Sequence, residues 1–341
     1  MITSCSLSLS SFITSDVSLF NQLFSMVVFL VLECFSFDLV LLDSCAEHFF
    51  LNIAETLNIS SHQLITDNLD YILDSATTAL RYNQCRIGTE FVAGLFKLIT
   101  NSEKSQDFDN FILPFLLSFG NEILNCLPQS EFKNHRDSLL RSLYSLVKPL
   151  FKESVVVDWR NLPEESCTKF QKLLNILIEG VDFMLDSPSF LEKCLTLDIL
   201  YCCFSILSHD PFNILQLIAK IWNSMFYLIT SDHQNCSLKA LKLIELFLMT
   251  SQDFAVSGNR LLELISSLDL LLADLKLLSK NLIFENRVSS INSILSLLCG
   301  LDLQIADNLK VVSIVHNWIN IHCDLLDSLV VEQLKSFVLN D

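Results

Sequence analysis

Apolar residues recur at helical spacing along almost the whole chain, and the residues that would interrupt such a pattern are scarce. Only 6 Gly and 6 Pro occur among 341 residues, and the hairpin-forming dipeptides Asn-Gly and Asp-Gly are absent. The one run typical of a strand is the short Val155–Val157 segment. The pattern therefore predicts an all-α fold.

The spacing of the predicted helices favours a repeat architecture. Successive helices pair into units of roughly 40–47 residues, the range of HEAT and armadillo repeats. Such pairs bury their apolar faces by stacking on their neighbours. We therefore expect an α-solenoid of HEAT/armadillo-like antiparallel helix pairs. Residues 1–15 should form an irregular lead, residues 16–341 a single solenoid, and residues 152–163 a bend within it.

Composition limits the classes of partner and the compartment. The formal charge is −17, whereas binding to nucleic acid needs clustered Lys and Arg, so we expect no nucleic-acid partner. The 12 Cys include no C-x-x-C pair, and those among apolar helix residues, such as Cys194, should behave as small hydrophobes. This usage favours a reducing, cytoplasmic location, with the nucleus also open.

The most apolar segment, Leu23–Leu32, raises the question of a membrane anchor. It is too short to span a bilayer, and extending it to Leu42 brings in Glu33 and Asp38. Each of these charges costs about 2.5–3.5 kcal/mol near the centre of a bilayer. The segment is therefore interpreted as a buried core helix, with a membrane anchor as the alternative.

No sequence pattern points to catalysis. Glycine-rich phosphate loops and a serine nucleophile elbow are both absent from the sequence. The nearest approach to a metal-ligand cluster is His316, His322 and Cys323, of which only His316 and Cys323 share a helix face. Two aligned ligands do not make a four-ligand site. We therefore predict no catalytic, cofactor or metal site, and a chain that is not an enzyme.

The stretch from Ser60 to Arg81 predicts one amphipathic helix with separable faces. Asp67, Asp70 and Asp74 are spaced three and four apart and form a solvent-facing stripe. That stripe is either a solvated face that keeps the protein in solution or a docking surface for a basic partner segment. The opposite face carries the apolar residues Ile65, Leu69, Ile72, Leu73, Ala76 and Leu80.

The order of residues in this helix resembles a known family. The run LITDNLDYILDSATTALR is similar to a signature of the Tel-two-interacting protein one family, the HEAT-repeat scaffolds of the triple-T cochaperone complex. The matching positions are Ser60, Ser61, Leu64, Ile65, Asp67, Asn68, Asp70, Tyr71, Ile72, Asp74, Ser75, Leu80 and Arg81.

A second segment extends the resemblance. Asp210 and Pro211 open a predicted helix by capping and by fixing its first turn. The string DPFNILQLIAKIWNSMFYLITSDHQNCSLKALKLIELFL resembles the family's C-terminal repeats. Asn213, Gln216 and Asn223 depart from that pattern. The resemblance runs from about Ala46 to Leu277 and implies the C-terminal part of a longer scaffold.

The resemblance implies partners and a role. Family members bind Tel-two-like and Tel-two-interacting-two-like subunits. Family members also support the maturation of client kinases, the phosphatidylinositol-3-kinase-related kinases, which depends on Hsp90 as an indirect partner.

The sequence offers few candidate residues for such contacts. They are Asp67, Asp70, Tyr71 and Asp74 on the acidic helix and the pair Trp159 and Arg160, which could equally serve local packing. The alternative function is a HEAT/armadillo-type transport or trafficking adaptor, which would bind basic cargo through an acidic surface.

Overall fold

The computed structural model describes residues 17–34, 40–81, 113–129, 133–151, 164–207, 211–250, 260–276, 281–299 and 309–339. Within these ranges every regular element is helical, which confirms the all-α prediction. The α-helices there are α1 (Val17–Glu33), α2 (Val40–Leu57), α3 (Ser61–Thr66), α4 (Leu69–Arg81), α5 (Leu113–Gln129), α6 (Lys133–Phe151), α7 (Glu164–Val181), α8 (Phe190–Leu207), α9 (Pro211–Ile229), α10 (Gln234–Thr250), α11 (Arg260–Leu275), α12 (Leu282–Cys299), α13 (Leu309–Ile321) and α14 (Ser328–Leu339).

The chain divides into two compact units, Met1–Gly180 and Val181–Asp341, called here the first and second units. The bend predicted at residues 152–163 and the irregular lead predicted at residues 1–15 lie outside the described residues.

In the first unit, neighbouring helices pack in sequence around a small core. Helix α1 packs on α2 and α4, α2 packs on α3, and α5 packs on both α4 and α6. The largest side chains that are fully buried in the described part of this unit are Phe50, Phe119, Leu32 and Leu64.

Helix α1, predicted as a buried core helix, has only one buried face. Val28 and Leu32 are buried, whereas Leu23, Met26 and Leu30 are between 45% and 47% exposed. Within the described ranges, no helix combines the length and the apolar character that crossing a membrane requires.

Helices α5 and α7 approach each other at two glycines. A Cβ atom added at Gly180 would lie 2.7 Å and 2.9 Å from the two methyl groups of Leu124. A Cβ added at Gly120 would meet Leu177 at 3.6 Å, an ordinary van der Waals distance. The two glycines therefore differ in how much room the neighbouring helix leaves them.

In the second unit, the helices alternate between two rows. Helices α8, α10, α12 and α14 pack side by side in one row, and α9, α11 and α13 pack in the other. Contacts of α9 with α8 and α10, and of α13 with α14, join the rows. Stacking of every second helix is compatible with the α-solenoid that the sequence predicts.

An aromatic cluster forms the centre of this second unit. Phe247 of α10 meets Phe204 of α8 edge to face, with 4.8 Å between ring centroids. The same ring stacks against Trp222 of α9, at 6.5 Å between centroids. Trp222 in turn meets Phe226 edge to face. Three consecutive helices thus share one packed core. In the sequence, Trp222 and Trp318 occur at helical spacing with Ile and Leu, which predicts that both are core residues, and the burial of Trp222 confirms this prediction for the first of them.

Buried polar side chains join helices further along the second unit. The indole Nε1 of Trp318, a predicted core residue that is fully buried, donates to Asp269 Oδ1 at 2.6 Å. The Asn292 amide donates to the Leu325 carbonyl at 3.3 Å and accepts from the Asp327 backbone N–H at 3.0 Å. These bonds satisfy polar groups that burial would otherwise leave unpaired.

Two predicted helix bounds were wrong. The apolar spacing predicts a helix over residues 61–82, within which Thr66 or Asp67 can cap the start of the amphipathic part. A turn at Asp67 and Asn68 divides this range, because the Asn68 side chain bonds the Leu64 carbonyl and another helix instead of pointing to solvent. The spacing also predicts one helix over residues 164–186, whereas α7 ends at Val181 and the chain continues as a 3-10 helix, Asp182–Asp186. The start of α9 at Pro211 is as predicted.

The two glycines allow a paired test of the α5–α7 contact. Gly180→Ala should lower the free energy of unfolding by about 1–3 kcal/mol, because the new methyl group must displace Leu124. Gly120→Ala should be neutral or stabilising by up to about 1 kcal/mol, because alanine favours the helix and has room. Urea unfolding measures both, and equal shifts for the two variants would contradict the close approach at Gly180.

Candidate protein-interaction surface

The acidic side of α4 is exposed, as the sequence predicts. Asp70 and Asp74 lie in solvent, and so does Asp67 in the turn before the helix. On the opposite side, Ile72 and Ala76 are fully buried. Helix α4 therefore has one face in the core and one face open to partners.

The apolar side of α4 is less completely covered than expected. Leu69 and Leu73 are only half-buried, and the side chain of Leu80 lies outside the described residues. The predicted apolar face is thus confirmed at its centre, Ile72 and Ala76, whereas Leu69 and Leu73 retain partial access to solvent.

A buried asparagine fixes α4 against α1. Asn68 is 7% exposed, its amide donates to the Leu64 carbonyl at 2.7 Å, and its Oδ1 accepts from the Ser25 hydroxyl of α1 at 2.6 Å. Before α3, the Ser60 hydroxyl accepts from the Gln63 backbone N–H at 3.0 Å and caps that short helix. Sequence reasoning missed Asn68, because a polar residue in a predicted helix is expected to face water.

Tyr71 lies where α4 meets α1. Its ring is edge-on to that of Phe29 in α1, with 6.4 Å between centroids, and the residue is 38% exposed. Met26 lies one helical turn before Phe29 and is exposed. The contact therefore brings an exposed apolar residue of α1 close to the acidic side of α4.

The exposed residues of α1 form a stripe of their own. Leu23, Met26 and Leu30 are three and four residues apart, so they lie on one side of the helix. Exposed apolar residues that adjoin charged ones are typical of protein-interaction sites. We call the following residues together the α1/α4 surface: Leu23, Met26, Leu30, Asp67, Asp70, Tyr71 and Asp74.

The stretch of sequence that carries this surface has Asp and Glu but no Lys or Arg. The sequence contains no Lys or Arg before Arg81, whereas Asp and Glu occur nine times in the same stretch. A surface of this kind attracts a basic segment and repels an acidic one, and salt screens the effect.

The other predicted contact pair, Trp159 and Arg160, lies outside the described residues. The structure therefore places four of the six predicted interaction residues, Asp67, Asp70, Tyr71 and Asp74, on or beside one helix.

A separate group of possible metal ligands lies in the second unit. Ligand atoms of Cys194, His233 and Cys236 all lie within 4.8 Å of one another. The sequence predicts no metal site, and it predicts that Cys194 behaves as a small hydrophobe because that residue lies among apolar helix residues. Cys236 is 42 residues away along the chain, so local spacing does not connect the two. In the sequence, the only sign of this metal site is that His233 and Cys236 lie three residues apart. Two possible ligands at that spacing are too common to predict a metal site.

This group is the one set of three or more such side chains that converges within the described ranges. The side chains of His316, His322 and Cys323, the nearest approach to a metal-ligand cluster in the sequence, do not form such a group in the described ranges. His316 bonds the Asn320 side chain at 3.3 Å and is exposed, as is Cys323, whereas His322 is buried. Burial, together with the positive charge of Lys276, lowers the pKa of His322.

Comparison of the chain with protein-family models, with curated proteins and with solved structures gives no match. The resemblance to the Tel-two-interacting protein one family therefore stays a prediction from the sequence.

Ile72 should anchor α4 in the core. Ile72→Ala should lower the free energy of unfolding by about 2–5 kcal/mol, because the side chain is fully buried. Thr78→Ala on the exposed side of the same helix is the control, with an expected change within about 0.5 kcal/mol. Chemical denaturation monitored by circular dichroism measures both, and similar losses would contradict the assignment of the two faces.

The acidic stripe should contribute little to folding. The double substitution Asp70→Asn and Asp74→Asn should change the free energy of unfolding by less than about 1 kcal/mol, because both carboxylates are exposed. A larger loss in the same denaturation experiment would show that the stripe has a structural role.

Proposed function

We propose that the protein is a non-enzymatic helical scaffold that binds other proteins through the α1/α4 surface. The observation that carries this proposal is the exposure of Leu23, Met26 and Leu30 on α1, a helix that packs on α4, whose acidic stripe is also in solvent. Exposure of these residues to water does not stabilise the monomer. Burial of the same residues under a partner stabilises the complex by about 25 cal/mol per Å² of apolar surface buried.

The occupant that fits this surface is a basic amphipathic helix of a partner subunit. Its apolar face would cover the α1 stripe, and its Lys or Arg side chains would lie opposite Asp70 and Asp74. The apolar contact would supply most of the affinity, and the charges would set orientation and speed of association.

The family resemblance supports a particular assembly. The proposed complex is triple-T-like, with Tel-two-like and Tel-two-interacting-two-like subunits as direct partners. In it the protein would support Hsp90-dependent maturation of phosphatidylinositol-3-kinase-related kinases. Its mechanism would be to hold partners in a fixed arrangement along the helical surface, without bond chemistry.

A second function is favoured by the acidic charge of the first 80 residues. A transport or trafficking adaptor of the HEAT/armadillo type would use the same stripe to bind a basic cargo segment. The two functions differ in the protein that is bound. A peptide with the basic sequence of a transport signal should bind the adaptor tightly and a triple-T-like scaffold weakly.

Neutralising the stripe should weaken partner binding. With purified partner subunits, the double substitution Asp70→Asn and Asp74→Asn should raise the dissociation constant by about two- to tenfold and reduce its dependence on salt. The matched control neutralises two exposed carboxylates of the second unit, Glu263→Gln and Glu285→Gln.

A second pair of variants tests the apolar half of the surface. Leu30→Ser should weaken binding of the same subunits, whereas Leu270→Ser in the second unit, at a leucine that is also exposed, should not. Unchanged binding for both the Asp70/Asp74 and the Leu30 variants would overturn the assignment of the α1/α4 surface.

The protein should depend on its partners for solubility. Large apolar side chains such as Leu41, Tyr227 and Leu282 are between 72% and 81% exposed, and surfaces of this kind promote self-association. Expression alone should give aggregates, and co-expression with the two subunits should give a defined complex by size-exclusion chromatography. A stable monomer at high concentration would contradict this expectation.

A further inference from the structure

We propose that Cys194, His233 and Cys236 bind a zinc ion in the second unit. Two sulfur ligands and one imidazole are the ligand types that zinc prefers, and three protein ligands leave the fourth tetrahedral position for water. His233 is partly exposed, so solvent can reach the group. The site is independent of the proposed scaffold function and lies on different helices.

The three side chains are already close to a coordinating arrangement. The Sγ atoms of Cys194 and Cys236 are 3.1 Å apart, and the imidazole lies within 4.8 Å of both. Around a tetrahedral zinc ion, bond lengths of about 2.0–2.3 Å place ligand atoms about 3.3–3.8 Å from one another. Small side-chain rotations therefore suffice to place all three around one ion.

The backbone at His233 is held on both sides. Its N–H donates to the Ser231 hydroxyl at 3.2 Å, and its carbonyl accepts from the Ser237 N–H at 3.2 Å. The Ser237 hydroxyl donates to the Ile229 carbonyl at 2.6 Å. These bonds fix the start of α10, and with it the positions of His233 and of Cys236 in the first helical turn.

Phe190, the first residue of α8, contacts two of the three possible ligands, His233 and Cys236. Its ring stacks on the His233 imidazole, with 4.7 Å between centroids and 16° between planes. Its backbone carbonyl accepts from the Cys236 thiol at 3.5 Å. The Nδ1 atom of His233 is buried and has no hydrogen-bond partner in the described part of the chain. A bound metal ion would use an imidazole nitrogen of this residue.

Two neighbouring groups act on the thiol of Cys194. The pKa of Cys194 is lowered to about 7, chiefly because Cys236 hydrogen bonds its sulfur, and the Lys239 ammonium adds a smaller effect. The same shared proton raises the pKa of Cys236. Lys239 is oriented by an ion pair with Asp198 and by the Cys194 carbonyl, at 3.4 Å.

Cys203, another buried cysteine of α8, has surroundings that differ from those of Cys194. Burial raises the pKa of Cys203, with the neighbouring Cys202 adding to the effect, so that its thiol keeps its proton. Cys203 is the small hydrophobe that the sequence predicts, whereas Cys194 lies beside a cation, a second thiol and an imidazole. The metal site is therefore specific to one turn of α8.

Metal content tests the proposal on the full chain. The full chain is kept in solution as a fusion to a carrier protein that binds no zinc, purified under reducing conditions, incubated with Zn²⁺ and freed of unbound ion by gel filtration. We expect about one zinc per chain by elemental analysis, and with Co²⁺ the absorption of a tetrahedral thiolate complex. Cys194→Ser and Cys236→Ser should abolish the bound metal, and the exposed Cys323→Ser is the matched control that should retain it.

The imidazole is tested with a substitution that preserves the helix start. His233→Asn keeps a residue favoured at the N-cap, and it should weaken zinc binding at least about tenfold in competition with a chromophoric chelator. Zinc retained at wild-type affinity in the His233, Cys194 and Cys236 variants would overturn the proposal.

A measurement on the unaltered chain covers the case in which the cysteine variants fail to fold. Zn²⁺ should protect Cys194 and Cys236 from alkylation, as mapped by mass spectrometry, while the exposed Cys323 reacts at an unchanged rate. Free thiols that zinc does not protect would overturn the proposal. A Cys194–Cys236 disulfide under the reducing conditions, seen as a loss of two hydrogens in mass, would also overturn it.

Discussion

Burial of helix α10 on three sides holds the second unit together. Helices α8 and α12 flank it in one row, and α9 covers it from the other. Phe247 near its C-terminal end meets Phe204 and Trp222, so three consecutive helices depend on the same aromatic packing. None of these helices can bury its apolar surface alone, which is the physical reason that such folds grow by stacking.

In the first unit, helix α1 leaves one side of its apolar residues uncovered. Asn68 bonds Ser25 of α1, Tyr71 of α4 meets Phe29 of α1, and Met26 and Leu30 of α1 stay exposed. The same arrangement that completes the core of the first unit therefore creates the α1/α4 surface. An apolar stripe with acidic neighbours gives a partner both affinity and a preferred orientation.

The proposed zinc site uses the same pair of helices as the core of the second unit. Cys194 belongs to α8, Cys236 begins α10, and Phe190 touches both His233 and Cys236. A metal ion there would link the first turns of α8 and α10, whereas Phe204 and Phe247 already meet near the last turns of the same helices. Because unfolding would separate the ligands, the energy of binding would stabilise the unit.

The sequence by itself determined the helical class, the start of α9 at Pro211, and the two faces of α4, because apolar spacing and capping act over a few residues. Only the tertiary structure decided that Asn68 is buried, that one side of α1 stays exposed, and that Cys194 meets Cys236. Each of these depends on which helix packs beside which. Contacts between residues some 40 positions apart leave no periodic signal in the chain, so local patterns cannot specify them.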